Sequence, residues 1–313
     1  LATTSNISDG SSADEFNLDG TASSGSITIN SNASINANET GYLAFISKNI
    51  STEGSRTSET AGLSANNGEL HFRNDEKATI KLSGLNISFP SSGLNNDDSL
   101  NSDESLNNIN LTGSALNAKT VVLNTNDVSE LLESVVSQPT TLNADDLIIT
   151  GFEDFSLNST INFGDSGTDL TITAKNSIST SANILGTETN LTLNSNEIDI
   201  GFGLSTFFGG DAGLNSITLN GDTTVRNHIK ANENIIINGN VDINREGDGA
   251  TVTKLWSELG NITVNGALSF TTNGSNTGKL FVRSESANFF DMSGLAEIEI
   301  NTNQLTLNGD VKA

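Results

Sequence analysis

Apolar and polar residues alternate in short bursts along most of this chain, and each burst closes on a residue that favours turns. Ile217-Thr218-Leu219-Asn220 is one such burst. Variants are Ile27-Thr28-Ile29-Asn30, Leu170-Thr171-Ile172-Thr173, Leu191-Thr192-Leu193-Asn194, Ile235-Ile236-Ile237-Asn238, Ile262-Thr263-Val264-Asn265, Ile298-Glu299-Ile300-Asn301 and Leu305-Thr306-Leu307-Asn308. Alternation with period two puts every second side chain on one face, so each burst predicts a short strand with one buried side. The bursts return at roughly 18 to 27 residues, which predicts stacked coils rather than a closed domain. The expected fold class is all-β, a β-solenoid.

In the second half each strand is followed by another short apolar piece: Ile178 after Leu170, Ile198-Asp199-Ile200 after Leu191, Val225 after Ile217, Val241-Asp242-Ile243 after Ile235, and Leu268-Ser269-Phe270 after Ile262. A coil therefore carries at least two strands, separated by Asn, Gly, Asp and Ser, which tolerate left-handed backbone or bond to their own backbone. The register predicts that Ile217, Leu219, Ile235, Ile237, Ile262 and Val264 fill the column interior.

Composition agrees. Only 34% of the residues are hydrophobic and there are 29 Gly against 2 Pro, which is lean for a globule but enough for a thin column with a polar outside. Whole-chain disorder would lack such evenly spaced Ile and Leu pairs. The formal charge of -24 repels phosphate backbones and anionic membrane surfaces, and with no Lys/Arg cluster to override it the expectation is no nucleic-acid partner. With 0 Cys there is neither a disulfide framework nor a thiolate metal site. No apolar run approaches a membrane span, so membrane insertion is not expected, and the chain reads as a segment, 1–313, of a longer exoprotein.

Two stretches carry a family resemblance. Gly25-Ser26-Ile27-Thr28-Ile29-Asn30, then Ala33-Ser34-Ile35-Asn36-Ala37, then Gly41-Tyr42-Leu43-Ala44-Phe45-Ile46-Ser47-Lys48-Asn49-Ile50-Ser51, resembles the secretion-domain coils of filamentous-haemagglutinin-like exoproteins of two-partner secretion systems. Leu142-Asn143-Ala144-Asp145-Asp146-Leu147-Ile148-Ile149-Thr150-Gly151-Phe152-Glu153-Asp154-Phe155-Ser156-Leu157 is similar to coils further along the same family. The resemblance implies a right-handed parallel β-helix, a secreted or bacterial cell-surface location, an outer-membrane secretion transporter as a partner, and adhesion as the role. A Cys-free chain suits passage across the periplasm unfolded, because no disulfide can trap it.

Two interruptions break the repeat. Residues 91–108 lack a strand signal and carry Asp97, Asp98, Asp103 and Glu104; they read as a loop excursion, because the spaced ligands of a calcium loop are absent. At 127–137, Val128, Leu131, Leu132, Val135 and Val136 fall at helical spacing before Pro139, which predicts one short helical insertion packed on a flank.

Candidate chemistry is sparse. Polysaccharide-cleaving enzymes built on this fold need paired acids and bases in a cleft. The local candidates are Arg226, His228 and Lys230 near Asp222, and Glu153 with Asp154; His228 also reads as a turn residue. Gly201-Phe202-Gly203 fails the dinucleotide pattern, and Gly209-Gly210-Asp211-Ala212-Gly213 occurs once where a calcium roll needs tandem copies. Phe207 and Phe208 read as buried rather than as a contact surface. Sequons at Asn6, Asn32, Asn38, Asn49, Asn86, Asn110, Asn158, Asn190, Asn261 and Asn273 are what chance gives in a chain so rich in Asn, Ser and Thr.

The sequence thus predicts a non-catalytic, adhesive β-helix stalk without cofactor, metal or catalytic residues, contacting an unidentified host or neighbouring-cell receptor or glycan. The alternative is a filament or matrix subunit associating end to end, and the third reading is a polysaccharide-cleaving enzyme.

Overall fold

Alternation of buried and open positions runs through many of the described strands. In Ser216–Val225 and Asn190–Ile200 each apolar residue is buried and its neighbours are half-open. The computed structural model describes residues 2–3, 15–19, 26–29, 33–37, 42–47, 49–52, 61–73, 77–81, 86–88, 108–110, 114–124, 141–151, 154–157, 160–163, 167–201, 207–210, 213–244, 252–270, 279–293, 297–309 and 311–312. Among the described residues there are strands and turns but no helix. The expected helix at 127–137 and residues 91–107 of the expected excursion lie outside them; Asn108 opens the strand Asn108–Asn110. The chain divides into two units, Leu1–Phe152 and Glu153–Ala313.

In Leu1–Phe152 three parallel ladders form. Tyr42–Ile46 pairs with the second half of Ala61–Arg73, that with the second half of Ser114–Asn124, and that with Asp146–Thr150. This aligns Leu43, Leu70, Val121 and Leu147 in one row and Phe45, Phe72, Leu123 and Ile149 in the next. The Phe45 and Phe72 rings stack with centroids 5.3 Å apart. A second ladder aligns Ile35, Leu63, Leu116 and Leu142, and a third aligns Ile27, Ile50 and Ile109. One feature departs from the parallel rule: Glu15–Asp19, Lys77–Lys81 and Asn86–Ser88 form a small antiparallel sheet. Its register sets Glu15 opposite Lys81 and Asp19 opposite Lys77, and only antiparallel neighbours can be joined by a connection as short as the one between Lys81 and Asn86.

Glu153–Ala313 is ordered the same way with longer ladders. The first runs Leu170, Leu191, Ile217, Ile235, Ile262, Ala287, Leu305, with Ile172, Leu193, Leu219, Ile237 and Val264 beside it. The second runs Phe155, Ile178, Ile198, Thr223, Val241, Leu268, Met292, Val311. A third, beyond the two strands read from the sequence, runs through Phe207–Phe208, His228–Ala231, Val252–Ser257, the start of Lys279–Phe289 and the start of Glu297–Leu307. Ile298-Glu299-Ile300-Asn301 belongs here, not with its look-alikes in the first ladder.

The predicted interior residues Ile217, Leu219, Ile235, Ile237, Ile262 and Val264 are all at 0% exposure, and Phe208 is buried with them. Burying a side chain of that size stabilises by about 1.5–3 kcal/mol, so the rows are what holds the repeats together.

Candidate functional site

Because the buried rows are mostly apolar, broken only by side chains such as Thr223 and Thr253, most of the chemistry must come from the rows that face outward and from the corners between ladders. Four successive corners after the first ladder are an Asn followed by a small residue: Asn194-Ser195, Asn220-Gly221, Asn238-Gly239 and Asn265-Gly266. Asn194 Nδ2 donates to Thr173 Oγ1 at 3.2 Å, Asn220 Nδ2 to Asn194 Oδ1 at 2.7 Å, Asn238 Nδ2 to Asn220 Oδ1 at 2.7 Å, and Asn265 Nδ2 to Asn238 Oδ1 at 2.7 Å. An amide has both a donor and an acceptor, so each Asn can pass such a bond on from repeat to repeat along a stack. The next residues, Gly221, Gly239 and Gly266, form a parallel column. A Cβ on Gly239 would run into the Gly221 carbonyl, and one on Gly266 into the Gly239 carbonyl.

The three outward faces of Glu153–Ala313 differ in chemistry. Along the first ladder, Thr171, Thr192, Thr218, Ile236, Thr263, Asn288 and Thr306 share a row. Along the second, Ser156, Ser179, Asp199, Thr224, Asp242 and Ser269 do, with Ser269 Oγ donating to Asp242 at 3.1 Å. The third sets Lys230, Trp256, Arg283 and Asn301 in register. Lys230 Nζ lies 5.3 Å from the centre of the Trp256 ring and the Arg283 guanidinium carbon 4.6 Å from it, so cations from two different repeats face the only tryptophan. Glu258 joins them, 3.2 Å from Lys230 and 3.9 Å from Arg283. Partial burial pushes its carboxyl up, but the Lys230 ammonium bonded to it, the neighbouring Trp256 and the charge of Arg283 outweigh that and hold it below the usual range.

The residues weighed for acid–base chemistry each answer to a different neighbour. Arg226 Nε donates to both oxygens of Asp199 at 2.9 Å. Asp222 Oδ1 accepts the Asn240 backbone N–H at 2.8 Å, and Asp154 Oδ1 accepts the Ser177 hydroxyl at 2.7 Å. His228 is not a turn residue: it opens the strand His228–Ala231, and its Nδ1 accepts the Lys254 backbone N–H at 3.0 Å, because the third ladder brings Lys254 onto it. Lys230 is tied to Glu258 and Trp256. Thus Arg226, His228, Lys230 and Asp222 are each drawn into a contact between repeats. Glu153, Asp97, Asp98, Asp103 and Glu104 lie outside the described residues, as does the Phe207 side chain.

Gly209, Gly210 and Gly213 have φ of 98°, 75° and 83°, so this glycine cluster is a left-handed turn. Of the sequon residues, Asn190 and Asn261 have described side chains, and both sit in ladders. Asn190 Nδ2 donates to Asp169 Oδ1 at 2.8 Å and Asn190 Oδ1 accepts from Asn215 Nδ2 at 2.9 Å, while Asn261 Nδ2 donates to Asn234 Oδ1 at 3.3 Å. Among the described residues no three His, Asp or Glu side chains are grouped to hold a metal ion.

The chain matches no family model, no curated protein and no solved structure.

Proposed function

We propose that the chain is a secreted, adhesive and structural stalk, a right-handed parallel β-helix related to the filamentous-haemagglutinin-like exoproteins, and that it works without catalysis. The observation that carries this reading is the Asn194–Asn220–Asn238–Asn265 ladder with its glycine column, which fixes each repeat on the one before it in strict register. Ladders of this kind favour winding around one axis, and crossovers between parallel strands of one sheet are right-handed in nearly all proteins. A stack so built presents long, differing faces to a partner. Its polar side chains are largely occupied in joining repeats, which suits a scaffold better than an enzyme. The resemblance at 25–51 and 142–157 points to the cell surface and to an outer-membrane transporter as the secretion partner. Receptor or glycan contact on another cell follows from the same reading.

The test has two parts. Negative-stain images of the isolated chain should show short rods, and beads coated with it should adhere to cells while leaving a panel of polysaccharides uncut. Round particles would overturn the β-helix, and polysaccharide turnover would overturn the non-catalytic reading.

One observation favours the alternative, end-to-end filament. Leu305 and Leu307 pair with the buried Ala287 and Phe289, yet are 44% and 45% exposed. A further repeat would cover them, whether it came from more of the same chain or from a second copy. Rods that lengthen with concentration in sedimentation support the filament; rods of fixed length exclude it.

A further inference from the structure

The corners Asn220-Gly221, Asn238-Gly239 and Asn265-Gly266 join two observations made separately above: side-chain amides tied to neighbouring repeats, on both sides for Asn220 and Asn238 and to the preceding repeat for Asn265, and glycine backbones in direct contact. Asn followed by Gly is also the pair most prone to deamidation, since no side chain on the following residue hinders attack by its nitrogen. We infer that these corners are modification sites closed by stacking: the amides survive while the repeats are paired, and a corner that reacts while open cannot return to the stack.

The reaction needs only water. The glycine amide nitrogen gives its proton to hydroxide and attacks Cγ of the asparagine. A new N–C bond forms, the bond from Cγ to Nδ2 breaks, and Nδ2 leaves as ammonia after taking a proton from water. The five-membered imide that results is opened by a second water at one of its two carbonyls. One opening leaves aspartate; the other leaves isoaspartate, with the former side-chain methylene in the main chain.

Stacking blocks the attack in two ways. Asn238 donates to Asn220 and accepts from Asn265, each at 2.7 Å, so turning its Cγ toward Gly239 breaks both bonds. Ring closure also swings the backbone between Asn238 and Gly239. That backbone is held by the Asn238 N–H to Leu219 carbonyl bond at 2.8 Å and by the contact of Gly239 with Gly221.

The same geometry rejects the products. Isoaspartate lengthens the main chain at a corner where even a Cβ does not fit. Aspartate at 238 places an oxygen where Nδ2 now donates to Asn220 Oδ1, setting two acceptors against each other. Asn67-Gly68 provides an internal comparison. Asn67 is exposed and lies in the stretch of Ala61–Arg73 where the pairing register shifts, between Ala65 and Glu69.

The experiment is peptide mapping by mass spectrometry of the whole chain aged at mildly alkaline pH, folded and in guanidinium chloride. In the folded protein the three corners should deamidate at least about tenfold more slowly than in denaturant, since attack must await local opening, while Asn67 should slow far less. Equal rates at the corners in the two states would overturn the inference. A second sample, aged within its melting transition, is treated with protease. Isoaspartate at 220, 238 and 265 should be confined to the digested fraction; its presence at equal level in the protease-resistant fraction would overturn the claim that modified corners cannot restack.

Discussion

Arg283 places its guanidinium carbon 4.6 Å from the centre of the Trp256 ring, one strand pairing away and in register with it. Lys230, paired with Trp256 through the preceding strand of the ladder, supplies a second cation 5.3 Å from the ring. Here two bases gather on a chain of net charge -24, and the group's residues come from three separate strands.

The arrangement makes the single tryptophan a reporter of repeat-to-repeat pairing. Arg283 is about half exposed, so its loss should cost only about 0.5–1 kcal/mol. Arg283→Ala should lower the denaturation midpoint slightly and shift the Trp256 emission of the folded state. Unchanged emission would mean the ring does not feel the cation.

The buried face can be told from the open one at adjacent positions. Ile237→Ala removes a side chain from a fully buried row and should cost about 2–5 kcal/mol, whereas Ile236→Thr restores the threonine of the outward row and should stay within about 0.5 kcal/mol. Ile237→Asp, an unpaired buried carboxylate, should abolish cooperative unfolding of its unit. Equal costs at 236 and 237 would refute the register.

Much of this was legible in the sequence for a simple reason. Strands with one buried face print a period of two, so Ile217, Leu219, Ile235 and Ile237 declare their row without any structure. The third ladder hid because Val252-Thr253-Lys254-Leu255-Trp256-Ser257 buries the polar Thr253 and Ser257 and turns its large aromatic outward, which blurs the alternation. Ile298-Glu299-Ile300-Asn301 misleads for the opposite reason: local pattern marks it as a strand but cannot say which ladder it joins. The Lys230, Trp256, Arg283 and Glu258 group depends on register between strands some 26 residues apart, as does the docking of His228 on the Lys254 backbone. Local spacing holds no such information.

Glycine substitutions separate close approach from flexibility. Gly239→Ala pushes a Cβ against the Gly221 carbonyl and should cost more than about 1 kcal/mol, with Gly266→Ala behaving alike. At Gly62 a Cβ meets nothing within 4 Å, so Gly62→Ala should be neutral or stabilising by up to about 1 kcal/mol. Thermal melts of the three variants check the order.

Glu258 gives a pH signature. Its folded carboxyl titrates below the ordinary 4.5, so the unfolded chain binds the proton more readily, and this contribution is complete above that value and lost as pH falls through the folded one. Glu258→Gln should therefore cost on the order of 0.5 kcal/mol at neutral pH, and the gap from wild type should close on acidification below about 4.5. A gap that persists at low pH would assign the loss to packing.

With 38 acidic against 14 basic residues, the folded chain repels itself, and dissolved salt screens that repulsion over about 10 Å at 0.1 M. Screening depends on ionic strength alone, whereas a calcium site responds to the ion itself at far lower concentration. Asp154, Asp199, Asp222 and Asp242 are engaged one by one with Ser177, Arg226, Asn240 and Ser269, rather than turned toward a common point. Sodium and calcium chlorides at matched ionic strength should thus raise the melting temperature by similar amounts. A rise of many degrees with calcium alone, reversed by a chelator, would contradict this and direct attention to Asp97, Asp98, Asp103 and Glu104, the one dense acidic run in the sequence.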